Sequence, residues 1–154
     1  MFAFGKQIAR LRQWRERCRR RPFCDRVCRA LRQRSPGLSR DLPSGDGGLL
    51  TAAANDYGFD EIFARQVAAF GLEGDVLIVL TTSGKSKNVR RALEEAKSRK
   101  LQTIAFLGRD GGSTIGLADV DFLVQTDSTA RIQEAHQLLL HVLCEIVEAR
   151  LAQK

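Results

Sequence analysis

No apolar run in this 154-residue chain is long enough to cross a bilayer. Runs such as Val76–Leu80 and Leu138–Leu140 fall far short of the roughly 20 residues that a spanning helix needs. The basic N-terminus lacks the continuous apolar core of a signal peptide, so the expected location is the cytoplasm. Cysteine is sparse. Cys18, Cys24 and Cys28 match no metal-ligand spacing, and Cys144 lies in a helix-like pattern. Neither a disulfide framework nor a cysteine-bound metal is expected.

The hydrophobic content of 44% is ordinary for a folded domain with a core. The net charge of +7 is not evenly spread. Residues 1–40 hold thirteen Lys and Arg against Glu16 and Asp25, a net of +11. The remainder holds twelve basic and sixteen acidic groups, a net of −4. The basic character therefore belongs to one segment, residues 1–46. There arginines alternate with cysteines and prolines without a period of 2 or 3.6, as in a disordered arm. Such an arm can attract nucleic acid. Over residues 6–44 it has one Trp, one Phe and no recognised module, so a solvated segment is preferred and nucleic acid is not an expected partner.

From residue 47 to 154, pattern and turn signals agree. Asp60–Phe70 reads as a helix closed by Gly71, and Asp75–Thr81 as a buried strand. Ser86 is placed to cap a helix through about Arg99 with Val89, Leu93 and Ala96 on one side. Leu101–Leu107 and Val120–Gln125 read as further strands. Thr129–Ala152 reads as a long helix with Ile132, Ala135, Leu139, Val142, Ile146 and Val147 inward. Alternating strands and helices predict an α/β fold, a three-layer αβα sandwich on a parallel sheet, with its N-terminal part disrupted.

The stretch DVLIVLTTSGKS, residues 75–86, is the strongest chemical signal. A buried strand runs into a hydroxyl-rich loop and then a helix N-terminus. Free backbone N–H groups and the positive helix end both favour an anion there. An ATPase-type phosphate loop would need glycine at position 79, which is Val79, so that motif fails. Thr82, Ser83 and Ser86 suit a phosphate monoester better. A plain strand-to-helix turn is the alternative. Asn55-Asp56-Tyr57-Gly58 reads most simply as a polar turn. On the last helix, Gln133 and His141 fall about 80° apart over two turns and can share a cavity. A histidine on an apolar helix is more often a satisfied core residue than a ligand.

Four segments in this order carry a resemblance: LTAAANDYGFDEIFARQV (50–67), GDVLIVLTTSGKSKNV (74–89), TIAFLGRDGG (103–112) and TARIQEAHQLLLHVLCEIVE (129–148). Together they resemble the sugar isomerase (SIS) domain of bacterial phosphoheptose isomerases, a flavodoxin-like fold. The resemblance implies interconversion of sedoheptulose 7-phosphate and an aldoheptose 7-phosphate through an enediol, on the route to surface heptose. It implies that Thr82, Ser83 and Ser86 hold phosphate, with Asn55, Asp56 and Gln133 at the substrate. Asp56 matches the family's active-site aspartate. Gln133 and His141 match its metal-binding helix positions, with His141 also a candidate acid/base. Zinc and a homotetramer with shared sites are implied as well. A non-catalytic SIS module that binds sugar phosphates or proteins is the other class. Lys85 stands where the family often has asparagine, and Lys87 where it usually has proline.

The family's GNGGSA loop, and the following helix with its His and Glu, are absent from residues 1–46. Codons permitted for Arg12–Arg32 can nevertheless be chosen so that a shift of one base reads Gly-Asn-Gly-Gly-Ser-Ala-Ala-Asp-Ala-Ala-His-Phe-Ala-Thr-Glu-Phe-Val-Val-Arg-Phe. That is the missing loop and helix in order. Frame would be restored before Gly45. The arginine excess then follows from GC-rich Gly and Ala codons read out of frame. Sequencing the DNA over codons 10–46 should show Gly-Asn-Gly-Gly-Ser-Ala in the +1 frame. Any other +1 reading refutes the shift.

Overall fold

The computed structural model describes residues 2–5, 39–41 and 46–151. Strands β1 (Phe2–Gly5) and β2 (Ser39–Asp41) come first. Helix α1 (Gly47–Tyr57), a 3-10 turn (Phe59–Glu61) and helix α2 (Ile62–Phe70) follow. Then come β3 (Val76–Thr81), α3 (Lys87–Ser98), β4 (Gln102–Gly108), β5 (Val120–Val124) and α4 (Thr129–Leu151). The sheet order is β2-β1-β3-β4-β5. It is the flavodoxin-like order of a doubly wound sheet.

The parallel sheet is present over β3, β4 and β5, where register runs Val76–Thr81 against Gln102–Leu107 and Ile104–Gly108 against Val120–Val124. It is not parallel throughout, because β1 pairs antiparallel with both β2 and β3. The expected disorder over residues 6–44 lies outside the described residues, apart from Ser39–Asp41, which are strand.

Period-2 alternation splits the strands between two layers. Leu77, Val79, Ala105 and Leu107 face the larger core with Val67, Val89, Ala92, Leu93 and Ala96. Ile78 and Phe106 face α4 and pack with Leu140. α3 therefore buries the side that its spacing predicts. α4 departs from expectation. Its buried residues are Ile132, His136 and Leu140, while Val142 and Ile146 are exposed. The inward stripe is rotated toward His136 because that imidazole has a partner. Its Nε2 lies 3.2 Å from the Leu107 carbonyl oxygen.

α1 was not foreseen as a helix. Asp46 caps it, accepting from the Gly48 and Leu49 N–H groups at 3.0 and 3.2 Å. Its C-terminus is closed by Gly58, whose N–H donates to the Ala54 carbonyl at 3.0 Å. The polar turn expected at residues 55–58 is thus the last turn of a helix. The entry to β4 is tied to that of β5 by a reciprocal pair. Thr103 donates to Asp119 Oδ2 from its N–H and its hydroxyl, both at 2.7 Å, and accepts from the Asp119 N–H at 2.9 Å. These bonds hold the Asp119 carboxyl below the usual carboxylate range. Burial pushes the His136 imidazole below the usual histidine value, partly offset by its bond to Leu107.

Both shifts have the same sign for stability. Each group binds protons more readily when unfolded, so folding weakens as pH falls. The loss should begin below about pH 6.5 through His136 and deepen below about pH 4 through Asp119. Thermal melts should show this fall, and the melting temperature of His136→Gln should be flatter between about pH 5 and 7. Thr103→Val should cost roughly 1–3 kcal/mol, because it leaves Asp119 without its hydroxyl donor.

Candidate functional site

The β3–α3 junction is built by hydroxyls and close backbone contact. Thr81, the last residue of β3, is buried, and its Oγ1 accepts the Gly84 N–H at 3.1 Å. The same oxygen lies 3.4 Å from Ser86 Oγ. Ser83 Oγ accepts the Lys85 N–H at 3.2 Å. Ser86 occupies the N-cap position of α3, yet its side chain makes no capping bond. This corrects the expected cap: the hydroxyl is turned toward Thr81. Instead, Asn88 Oδ1 accepts the Val89 N–H at 2.9 Å, and the Ser86 carbonyl accepts from Val89 and Arg90 at 3.2 Å each. Thr82, Ser83 and Ser86 are all half-buried.

The loop after β4 presses against this one. Gly84 has φ 63°, and a Cβ there would overlap the Gly111 carbonyl. Thr114 is fully buried and donates from Oγ1 to the Gly84 carbonyl at 2.7 Å. Asp110 Oδ1 accepts the Gly112 N–H at 3.0 Å and shapes the GRDGG turn. Gly108, at the end of β4, brings in α4. A Cβ there would meet the Thr82 carbonyl oxygen and, at 2.7 Å, two carbons of Ile132. The first turn of α4, with Gln133 next to Ile132, is therefore seated beside the loop.

The remaining site residues are spread over α1 and α4. Asn55 and Asp56 are exposed, and Asn55 Nδ2 donates to Asp56 Oδ1 at 3.0 Å. Beside them the Arg65 guanidinium sits 3.5 Å from the centroid of the Tyr57 ring. Gln133 is exposed and His141 half-buried. They lie about 12 Å apart along the helix axis. Among the described residues, no three His, Cys, Asp or Glu side chains form a group able to hold a metal ion. Two donors do not complete a zinc site. Sequence reasoning missed Thr81, Thr114 and Gly108. Thr81 extends the Thr82-Ser83 hydroxyl run by one place, and that was its signal. Thr114 and Gly108 gave none, because their roles depend on a neighbouring loop and helix.

A family model for the SIS domain matches residues 29–108, more than half of the chain. The chain belongs to the SIS domain family. The match begins inside the basic segment. Relatives include a phosphoheptose isomerase from Helicobacter pylori, 50% identical over 118 residues, which are 77% of this chain and 62% of the relative. Another, from Geobacter sulfurreducens, is 51% identical over 115 residues, 75% of this chain and 61% of the relative. This SIS chain thus spans about three-fifths of the curated relatives it matches. Among solved structures, a phosphoheptose isomerase from Francisella tularensis superposes with a TM-score of 0.75 at 38% identity, covering 82% of this chain and 70% of that one. The phosphoheptose isomerase from Neisseria gonorrhoeae gives a TM-score of 0.65 at 47% identity, over 66% and 58%.

The interlock of the two loops predicts a sharp mutational result. Gly84→Ala should lose at least about 1–2 kcal/mol from the left-handed backbone alone, and more from the overlap with Gly111. Urea unfolding should show that loss, whereas Lys85→Ala on the exposed neighbouring residue should stay within about 0.5 kcal/mol of the parent.

Proposed function

We propose that this chain is a sugar-phosphate isomerase of the phosphoheptose type. It interconverts a ketoheptose and an aldoheptose 7-phosphate through an enediol, and it is impaired by residues 1–46 as they stand. The observation that supports this most is the cradle at residues 81–86. It combines half-buried hydroxyls with a helix N-terminus, in a chain about half identical to phosphoheptose isomerases. Thr82, Ser83 and Ser86 hold the phosphate, and Gln133 orients the substrate from the adjoining helix turn. Asp56 and His141 carry protons between C1 and C2, each within reach once a neighbouring copy closes the site. Leu138, Val142 and Ile146 stand four residues apart on α4 and are exposed, a stripe suited to that assembly. We propose the tetramer on this basis.

Zinc, when bound, supplies carbonyl polarisation. Gln133 and His141 alone do not complete its site, so no step is routed through it. We propose zinc only with the His and Glu of the shifted reading as further ligands. A cytoplasmic location and a role in lipopolysaccharide heptose synthesis belong to the same proposal. No described helix is long and apolar enough to cross a membrane. Nucleic acid is not proposed as a partner.

The second reading is a non-catalytic phosphosugar- or protein-binding module. It is favoured by one observation: the cradle is assembled, whereas Asp56 is exposed and bonded to Asn55. Turnover of sedoheptulose 7-phosphate with added zinc separates the two. The frame-corrected chain should be active, and this chain slower by at least about a hundredfold. Activity in neither supports the binding module. Ser83→Ala should weaken sugar-phosphate binding by roughly tenfold in calorimetry, since it removes a hydrogen bond to a charged group.

A further inference from the structure

The cations around the cradle fall into two sets. At the starts of α3 and α4 each has an acidic partner. Lys87 lies 4.0 Å from Asp60, Arg90 3.4 Å from Glu94, Arg91 2.7 Å from Glu61 and Arg131 2.6 Å from Glu134. On the two loops the cations stand alone. Lys85 and Arg109 are exposed, and among the described residues neither forms an ion pair. They flank the contact between Gly84 and Gly111. Lys85 follows Gly84, and its stem lies on the other loop: a Cβ at Gly112 would come within 2.8 Å of Lys85 Cγ. Arg109 follows Gly108, where a Cβ would meet the Thr82 carbonyl oxygen. The stem of one cation and the backbone of the other are thus fixed at the rim of the hydroxyl cradle.

Arg109 also holds a conformation that is costly for its residue type. The Gly108 carbonyl accepts the Gly111 N–H at 3.0 Å, closing a turn with Arg109 and Asp110 at its centre. Arg109 has φ 58°, whereas Asp110 is outside the left-handed region. Such a turn prefers glycine at its first central position. Lys100, at φ 59°, is left-handed for an ordinary reason. It closes α3, where the Leu101 N–H donates to the Ala96 carbonyl at 2.9 Å. Arg109 closes no helix, and its N–H bond to the Val124 carbonyl, at 3.1 Å, is one that glycine would make equally well. Backbone strain of this sort clusters at ligand sites. Here the strained residue carries a guanidinium without a partner.

We propose that Lys85 and Arg109 form a second anion seat beside the first, so that the cradle takes a diphosphate. One phosphoryl group rests on the hydroxyls of Thr82, Ser83 and Ser86, and the next lies against the two cations. A guanidinium grips phosphoryl oxygens through two parallel N–H donors, and an ammonium adds a point charge. Asp110, the acid beside Arg109, has its Oδ1 engaged by the Gly112 N–H at 3.0 Å. The ligand class is a diphosphate ester, such as a nucleoside diphosphate or its sugar conjugate, competing with a phosphosugar for the same hydroxyls. The proposal rests on the phosphate reading of residues 82–86.

Calorimetry on this chain, without divalent metal, tests it with inorganic phosphate, inorganic pyrophosphate and sedoheptulose 7-phosphate. Pyrophosphate should bind at least about tenfold more tightly than phosphate, and the advantage should shrink as salt is raised. The double variant Lys85→Ala with Arg109→Gly should lose that advantage while phosphate binding persists. Its melting temperature should be no lower than the parent's, because glycine suits the turn. Lys85→Ala with Arg109→Gln, which leaves the backbone unchanged in type, should lose the advantage as well. Equal affinities for phosphate and pyrophosphate in the parent, or an advantage that survives in both double variants, overturn the proposal. Sedoheptulose 7-phosphate binding without a pyrophosphate advantage refutes the rim and keeps the phosphosugar reading. A pyrophosphate advantage that the variants abolish, without sedoheptulose 7-phosphate binding, keeps the rim and refutes that reading. Binding of none of the three overturns both.

Discussion

The site depends on two backbone loops touching with nothing between them. Adjacent parallel strands lie about 4.8 Å apart, so the loops that follow β3 and β4 emerge side by side. Gly84 and Gly111 meet there without side chains, and Thr114 closes the contact from below through the Gly84 carbonyl. Every feature of the cradle follows from that approach. It fixes the left-handed turn at Gly84, which aims the Gly84 N–H at Thr81 and delivers Ser86 to the start of α3. Gly108 extends the same logic to a third element by letting Ile132 come close to the Thr82 carbonyl. Three elements distant in sequence are thus held by contacts that any Cβ would push apart.

The two faces of the sheet are not equally filled. The α3 side has a continuous apolar core of strand and helix residues. The α4 side has a smaller cluster around Ile78, Phe106 and Leu140, and it relies on the buried imidazole of His136. A neutral histidine there joins helix to sheet through one hydrogen bond and one ring contact, with its ring 6.0 Å from that of Phe106. The thinner layer is also the one whose helix keeps Leu138, Val142 and Ile146 in solvent. One helix thus carries a polar tether inward and an apolar stripe outward.

Much of this was legible in the residues. The buried strands announced themselves by continuous apolar runs, and α3 by the spacing of Val89, Leu93 and Ala96. Asp75–Ser86 was legible as a strand, a hydroxyl-rich turn and a helix start because the three are contiguous. Legibility ended where contacts are long-range. α1 was missed because its Ala-rich interior gives a weak apolar period, and its Asp46 cap is followed by two glycines. The orientation of α4 was misjudged because His136 counts as polar in a periodicity argument, while a carbonyl at the end of β4 makes its burial favourable. Ser86 was read as a cap because it stands at the right position. Its hydroxyl is drawn instead to Thr81, five residues back, a partner that exists only once the loop has turned.

That last pairing has a consequence for selectivity. A hydroxyl both gives and takes a hydrogen bond, so Thr81 and Ser86 can satisfy one another and keep the loop in shape without a guest. By rotating only their hydrogens, the half-buried hydroxyls of such a loop can turn outward together as donors. The heavy atoms need not move, so little reorganisation opposes binding. Such a surface suits a guest whose oxygens accept and never give. On the proposed phosphosugar reading, it would discriminate by the direction of protons rather than by fixed charge, and would hold a dianion without a lysine at its centre.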